Sequence, residues 1–91
     1  MKKTYAIKIL GRVQGVNFRR SAAEHARAYG IVGFVRNEPD GSIVMEAEGD
    51  EEALRMFLVW CRKGSYFANV ERMDVEEIEG KEYKTFEIKK E

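Results

Sequence analysis

Ninety-one residues, 44% hydrophobic and 35% charged, describe one soluble globular domain over residues 1–91, with room for a single core and no second domain. No apolar run approaches the length of a membrane span or a signal-peptide core, so a cytoplasmic protein with no membrane partner is expected. The 16 Lys/Arg balance the 16 Asp/Glu, which argues against broad nucleic-acid binding, although residues 1–45 hold eight basic against three acidic residues and residues 46–91 eight against thirteen.

Tyr5, Ile7 and Ile9 alternate with Ala6 and Lys8, the period of a half-buried strand that runs into Gly11. The stretch Gly11–Arg20, G-R-V-Q-G-V-N-F-R-R, follows it. Two glycines four apart permit the positive φ angles from which a ring of inward N–H groups, an anion-binding nest, can be built. Asn17 suits the N-cap of a helix whose apolar stripe is Phe18, Ala22, His25 and Tyr29, with Gly30 at C′. The start of that helix would aim free N–H groups and its positive dipole end into the same hollow, where Arg19 adds a planar five-donor fork. Glycine-containing strand-to-helix turns are common, and a first-turn arginine is often just solvated. The stretch alone leaves an anion site and a plain turn both open.

Ile31–Arg36 is a short β-prone run, and Glu38-Pro39-Asp40-Gly41 is turn chemistry. Ser42–Glu48 then places Ile43, Met45 and Ala47 on one face and Val44, Glu46 and Glu48 on the other, completing a hairpin. Asp50 caps a second helix with the stripe Leu54, Phe57, Leu58 and Cys61, closed by Gly64, while Met56 and Val59 point outward. Residues 65–69 form a loop, Val70–Ile78 reads as a strand, 79–82 as a turn, and a short strand ends the chain. The order βαββαβ plus a short final β is a split βαβ arrangement, two helices on one face of a mainly antiparallel sheet.

The chain has no C-x-x-C, H-E-x-x-H or Walker A lysine loop, so neither a metal site nor a cofactor is expected. Cys61 falls on an apolar stripe and reads as structural. His25 lies two turns beyond the glycine stretch and reads as a neutral core or boundary residue rather than a general base. Asn37, in G-F-V-R-N, is either turn chemistry before Glu38-Pro39 or a side chain facing the hollow. Arginine, asparagine and backbone N–H groups can bind a phosphoryl group and orient a water, but they cannot protonate a poor leaving group. An acyl phosphate fits that limit, because its leaving group is already a stable carboxylate.

G-R-V-Q-G-V-N-F-R at Gly11–Arg19, followed by G-F-V-R-N at Gly33–Asn37 and then P-D-G, closely resembles the acylphosphatases. The resemblance extends over nearly the whole chain, through F-L-x-W-C-R-K-G at Phe57–Gly64, Ala68 and Val70. It implies a ferredoxin-like α+β sandwich, a small stand-alone monomer that hydrolyses acyl phosphates to carboxylate and phosphate without metal or cofactor. By position, Arg19 matches the family's phosphate-binding arginine and Asn37 the asparagine that orients the attacking water. The backbone of Val13, Gln14, Gly15, Val16, Asn17 and Phe18 matches its phosphate loop. Three departures stand out. Glu38 follows Asn37 where relatives usually have Leu or Thr, which would place a carboxylate at the mouth. His25 and Tyr29 replace aliphatics, and Ser65-Tyr66-Phe67 replaces a common Pro-Pro-Gly. One rival is a phosphate-binding domain with little turnover, like the one that begins hydrogenase-maturation proteins. An RNA-binding module on the same scaffold would need aromatics that Ser42–Glu48 lacks, so no nucleic-acid partner is expected.

Overall fold

A computed structural model describes residues 1–90, which form β1 (Lys2–Arg12), α1 (Phe18–Ala28), β2 (Val32–Asn37), β3 (Ile43–Asp50), α2 (Glu51–Lys63), β4 (Asn69–Ile78) and β5 (Phe86–Lys89). The strands lie in the order β4-β1-β3-β2-β5, and every neighbouring pair is antiparallel except β2 with β5. It follows that β1, β2 and β5 run in the same direction and end at the same side of the sheet. The strand that ends in Asn37, β2, does not adjoin β1. Instead β3 lies between them, and Ile9, Ile43 and Asn37 form one lateral row across β1, β3 and β2.

Alternation decides what each strand buries. Ile7 and Ile9 of β1 and Ile43, Met45 and Ala47 of β3 point to the helix side and join Val35 and Phe86 in the core. From the other layer α1 contributes Phe18, Ala22, Ala23 and Ala26, and α2 contributes Leu54, Phe57 and Cys61. The small α1 residues let that helix sit close to the sheet. His25 and Tyr29, expected on the inner stripe, lie at its half-buried margin. The His25 ring stacks on Trp60 at 4.5 Å, and its Nδ1 lies 2.9 Å from the Ser21 carbonyl, a contact that puts the proton on Nδ1. Cys61 is free and fully buried, and burial pushes its thiol pKa up, away from reactivity.

Asp50 caps α2 as expected, its side chain accepting from the Glu52 N–H at 3.1 Å, with Glu51 and Glu52 in the first turn and Arg62 and Lys63 in the last. Two local readings change. Gly11 was assigned to the anion nest, but it lies in β1 at a shift of register against β4. There its missing Cβ matters, since one would stand 2.1 Å from the Asn69 carbonyl oxygen. Glu48 alternates with the apolar face of β3, yet it too is fully buried. Its carboxylate accepts from Thr4 Oγ1 at 2.6 Å and from the N–H groups of Lys81, Glu82 and Tyr83 at 2.8, 3.3 and 3.0 Å. This one side chain therefore anchors the irregular segment that carries the chain from β4 to β5. Burial alone would raise its pKa and is the largest single influence, but the four hydrogen bonds together hold it down at about 2.

Candidate active site

The shared direction of β1, β2 and β5 brings three strand ends and the start of α1 to one place. They enclose an open hollow of about 250 Å³ lined by Val13, Gly15, Asn17, Phe18, Arg19, Arg20, Asn37 and Ile88. Among the described residues no carboxylate lines the hollow and the first turn of α1 holds no acidic side chain, which leaves the positive helix end open to an anion.

The loop at the hollow's floor is held from both ends by Val13 and Phe18, each 1% exposed. Between them Gly15 has φ 74° and Asn17 φ 66°, two left-handed residues flanking Val16. Among the described residues, the N–H groups of Gly15, Val16 and Asn17 have no acceptor within the chain. These free N–H groups are a candidate for such a nest, with Gly15 and Asn17 rather than Gly11 and Gly15 as its left-handed residues. Asn17 does occupy the N-cap position of α1, yet its side chain makes no capping hydrogen bond. Its contribution is backbone conformation, for asparagine tolerates the left-handed region better than most residues do.

Not every residue of the expected loop lines the hollow. The Gln14 side chain leaves it and donates from Nε2 to the carbonyls of Glu38 and Ser42, at 2.8 and 2.9 Å. Gln14 thereby ties the loop to the turn between β2 and β3, which Asn37 precedes at the end of β2. Val16 also points away, and its carbonyl accepts from Ser65 Oγ at 2.8 Å. Arg19 enters from the first turn of α1 and donates through Nη1 to the Lys89 carbonyl at 3.3 Å.

Asn37 brings the most informative atom. Its Oδ1 is buried without any hydrogen-bond partner, and among the described residues its side chain makes none of the bonds that would mark it as turn chemistry. A buried amide oxygen left in that condition costs about 1–3 kcal/mol, which a fold tolerates where the group serves something other than stability. Glu38 does not turn towards the mouth. Its carboxylate pairs with Arg36 Nε at 2.6 Å and stays out of the lining. His25 is likewise absent from the lining. Arg20 and Ile88 line the hollow without having been singled out from the sequence. The signal for Ile88 lies in pairing rather than in pattern, since it takes its place only because β5 joins β2 in parallel, with Ile88 opposite Val35.

The acylphosphatase family model matches residues 5–88. The chain belongs to the acylphosphatase family. An acylphosphatase of Thiobacillus denitrificans is 46% identical over 93% of this chain and 94% of its own length. The crystal structure of acylphosphatase from Bacillus subtilis superposes with a TM-score of 0.92 at 36% identity, covering 97% of this chain and 98% of that one. The structure of T. kodakarensis HypF is also similar, with a TM-score of 0.86 at 28% identity, but there the match covers 12% of the longer chain. The ferredoxin-like α+β fold expected from the resemblance is thus the fold observed, and the near end-to-end correspondence is with the stand-alone enzymes.

Proposed function

We propose that this hollow is where the chain carries out its family's reaction, hydrolysis of the carboxyl–phosphate bond of an acyl phosphate, with Arg19 and Asn37 as its catalytic residues. The phosphoryl oxygens sit in the ring of N–H groups from Gly15 to Phe18, and the Arg19 fork neutralises them from the side. The Asn37 side-chain amide hydrogen-bonds a water and so turns the water's lone pair towards phosphorus. As the water oxygen bonds to phosphorus, the bond from phosphorus to the acyl oxygen breaks and its electron pair leaves on the carboxylate. The water's proton passes to a phosphoryl oxygen of the substrate, so the products are carboxylate and dihydrogen phosphate and no protein group changes protonation state.

The observation that carries this reading is that Asn37, whose side chain makes no hydrogen bond among the described residues, lines the same hollow as Arg19. Ile88, 41% exposed, is the one apolar lining residue with surface left to cover, and it supplies a contact for an apolar acyl group. No described helix is long and apolar enough to cross a membrane, and the free buried Cys61 suits a reducing cytoplasm. Phosphate release from benzoyl phosphate tests the reading. Steady turnover is expected, and none above the uncatalysed rate would contradict it.

A further inference from the structure

We infer that Ser65 is a positioning residue for the phosphate loop, holding the peptide between Val16 and Asn17 in the orientation that aims the Asn17 N–H into the hollow. The inference rests on the proposed site and concerns how its N–H ring is kept in place. In a planar trans peptide, the C=O of one residue and the N–H of the next point in opposite directions. Whatever fixes the Val16 carbonyl outside the hollow therefore fixes the Asn17 N–H inside it. Ser65 Oγ is that fixture, donating to Val16 O at 2.8 Å across 49 residues of sequence.

The peptide has reason to turn over without it. Asn17 stands at φ 66°, and a non-glycine residue there is less stable than at negative φ. Rotating the Val16–Asn17 peptide would move Asn17 towards negative φ while swinging a carbonyl oxygen into the space meant for phosphoryl oxygens. One rotation would thus relieve backbone strain, remove a donor and add a repulsive acceptor. The hydrogen bond from Ser65 opposes it.

The position of Ser65 is itself well defined. Trp60, in the last turns of α2, packs on Phe18 at a ring separation of 5.1 Å, and the Gly64 N–H returns to the Trp60 carbonyl at 2.7 Å. The Ala68 N–H closes onto the Ser65 carbonyl at 3.0 Å. The hydroxyl is therefore presented from a closed turn braced on the same Phe18 that ends the loop. No other side chain hydrogen-bonds Val16, among the described residues.

Ser65→Ala removes the hydroxyl with minimal change of shape, and Ser65→Thr keeps it. Phosphate titration of each chain by calorimetry, and by the amide signals of Gly15, Val16 and Asn17 in a nitrogen–proton NMR spectrum, reads the effect. Ser65→Ala should raise the phosphate dissociation constant and the KM for benzoyl phosphate about three- to tenfold, the weight of one hydrogen bond. Its Asn17 amide signal should differ from wild type before phosphate is added, and Ser65→Thr should restore both properties to within about twofold. A Ser65→Ala chain with wild-type phosphate affinity and an unmoved Asn17 signal overturns the inference even if its melting temperature falls, because that is the result of a merely structural serine. If the wild-type loop amides ignore phosphate altogether, the site itself is misplaced and the role of Ser65 falls with it.

Discussion

The guanidinium of Arg19 donates to the backbone carbonyl of Lys89 at 3.3 Å, which tethers a cation of the hollow to the end of a strand seventy residues further along the chain. A backbone carbonyl leaves the guanidinium's full charge in place, so Arg19 is held without being neutralised. This arrangement spends little binding energy on ordering a long side chain when phosphate arrives. The expected result is that Arg19→Ala loses both phosphate affinity and turnover, since the fork touches the phosphoryl group in ground and transition states alike. Arg19→Lys should rescue little, because a point charge cannot hold Lys89 and grip two phosphoryl oxygens together. Calorimetry with phosphate and turnover of benzoyl phosphate check both variants, and near-normal activity in Arg19→Lys would remove the case for a fork.

Product and substrate share one cradle, so phosphate should compete with substrate and stabilise the fold by mass action. At about 100 times its dissociation constant it should add roughly 2.7 kcal/mol. A melting temperature that does not move in a phosphate titration at constant ionic strength would count against the cradle. In the same assay turnover should survive EDTA, because the cationic work falls to Arg19 and the N–H ring; loss with EDTA and recovery with Mg²⁺ would mean another mechanism.

The acyl end of the substrate should feel Ile88. Truncation to alanine removes apolar surface at the rim and leaves the phosphate contacts intact. Ile88→Ala should therefore raise KM about three- to tenfold for benzoyl phosphate and hardly at all for acetyl phosphate. Equal changes for both substrates would show that the acyl group lies elsewhere.

Glu48 predicts how the fold responds to acid. Its folded pKa, about 2, is below the ordinary 4.5, so its contribution is fully present above pH 4.5 and is lost as pH falls towards 2. Glu48→Gln keeps the shape but turns an NH₂ group towards backbone N–H donors. The variant should be less stable at pH 7 by about 2 kcal/mol, with a flatter decline in stability between pH 4.5 and 2. Urea unfolding across that range measures it, and superimposable curves would show that Glu48 is not the anchor of residues 81–83.

Strand and helix order was legible in the sequence because the signals are local. Ile7 and Ile9 alternate, Asp50 caps its helix, and Gly30 ends the first one. Of the candidate site, the motif named Arg19, Asn37 and the loop between Val13 and Phe18, of which Arg19, Asn37, Val13, Gly15, Asn17 and Phe18 line one hollow. What escaped depends on pairing between distant segments. Nothing near Glu48 in sequence announces the three N–H groups of residues 81–83 that make its burial tolerable. Gly11 and Gly15 look alike in the motif, and only the approach of Asn69 shows that the first serves the sheet and the second the nest. Ile88 and Ser65 reach the hollow and its loop through tertiary contacts, from β5 and from the turn after α2.

Asn37, lining the hollow with a side chain that has no hydrogen-bond partner among the described residues, is the centre of the account, and Asn37→Ala tests it most directly. The side chain makes no hydrogen bond that stabilises the fold, so the variant should melt at or slightly above the wild-type temperature. Phosphate should still bind, because Arg19 and the N–H ring are untouched. Turnover of benzoyl phosphate should nevertheless fall by about two to three orders of magnitude in kcat, the usual loss when one positioned group is removed from a transition state. That measurement, kcat for benzoyl phosphate in a folded, phosphate-binding Asn37→Ala chain, decides the matter. A fall of a hundredfold or more with phosphate affinity retained is the predicted result, and an unchanged kcat would contradict the assignment of the attacking water to Asn37.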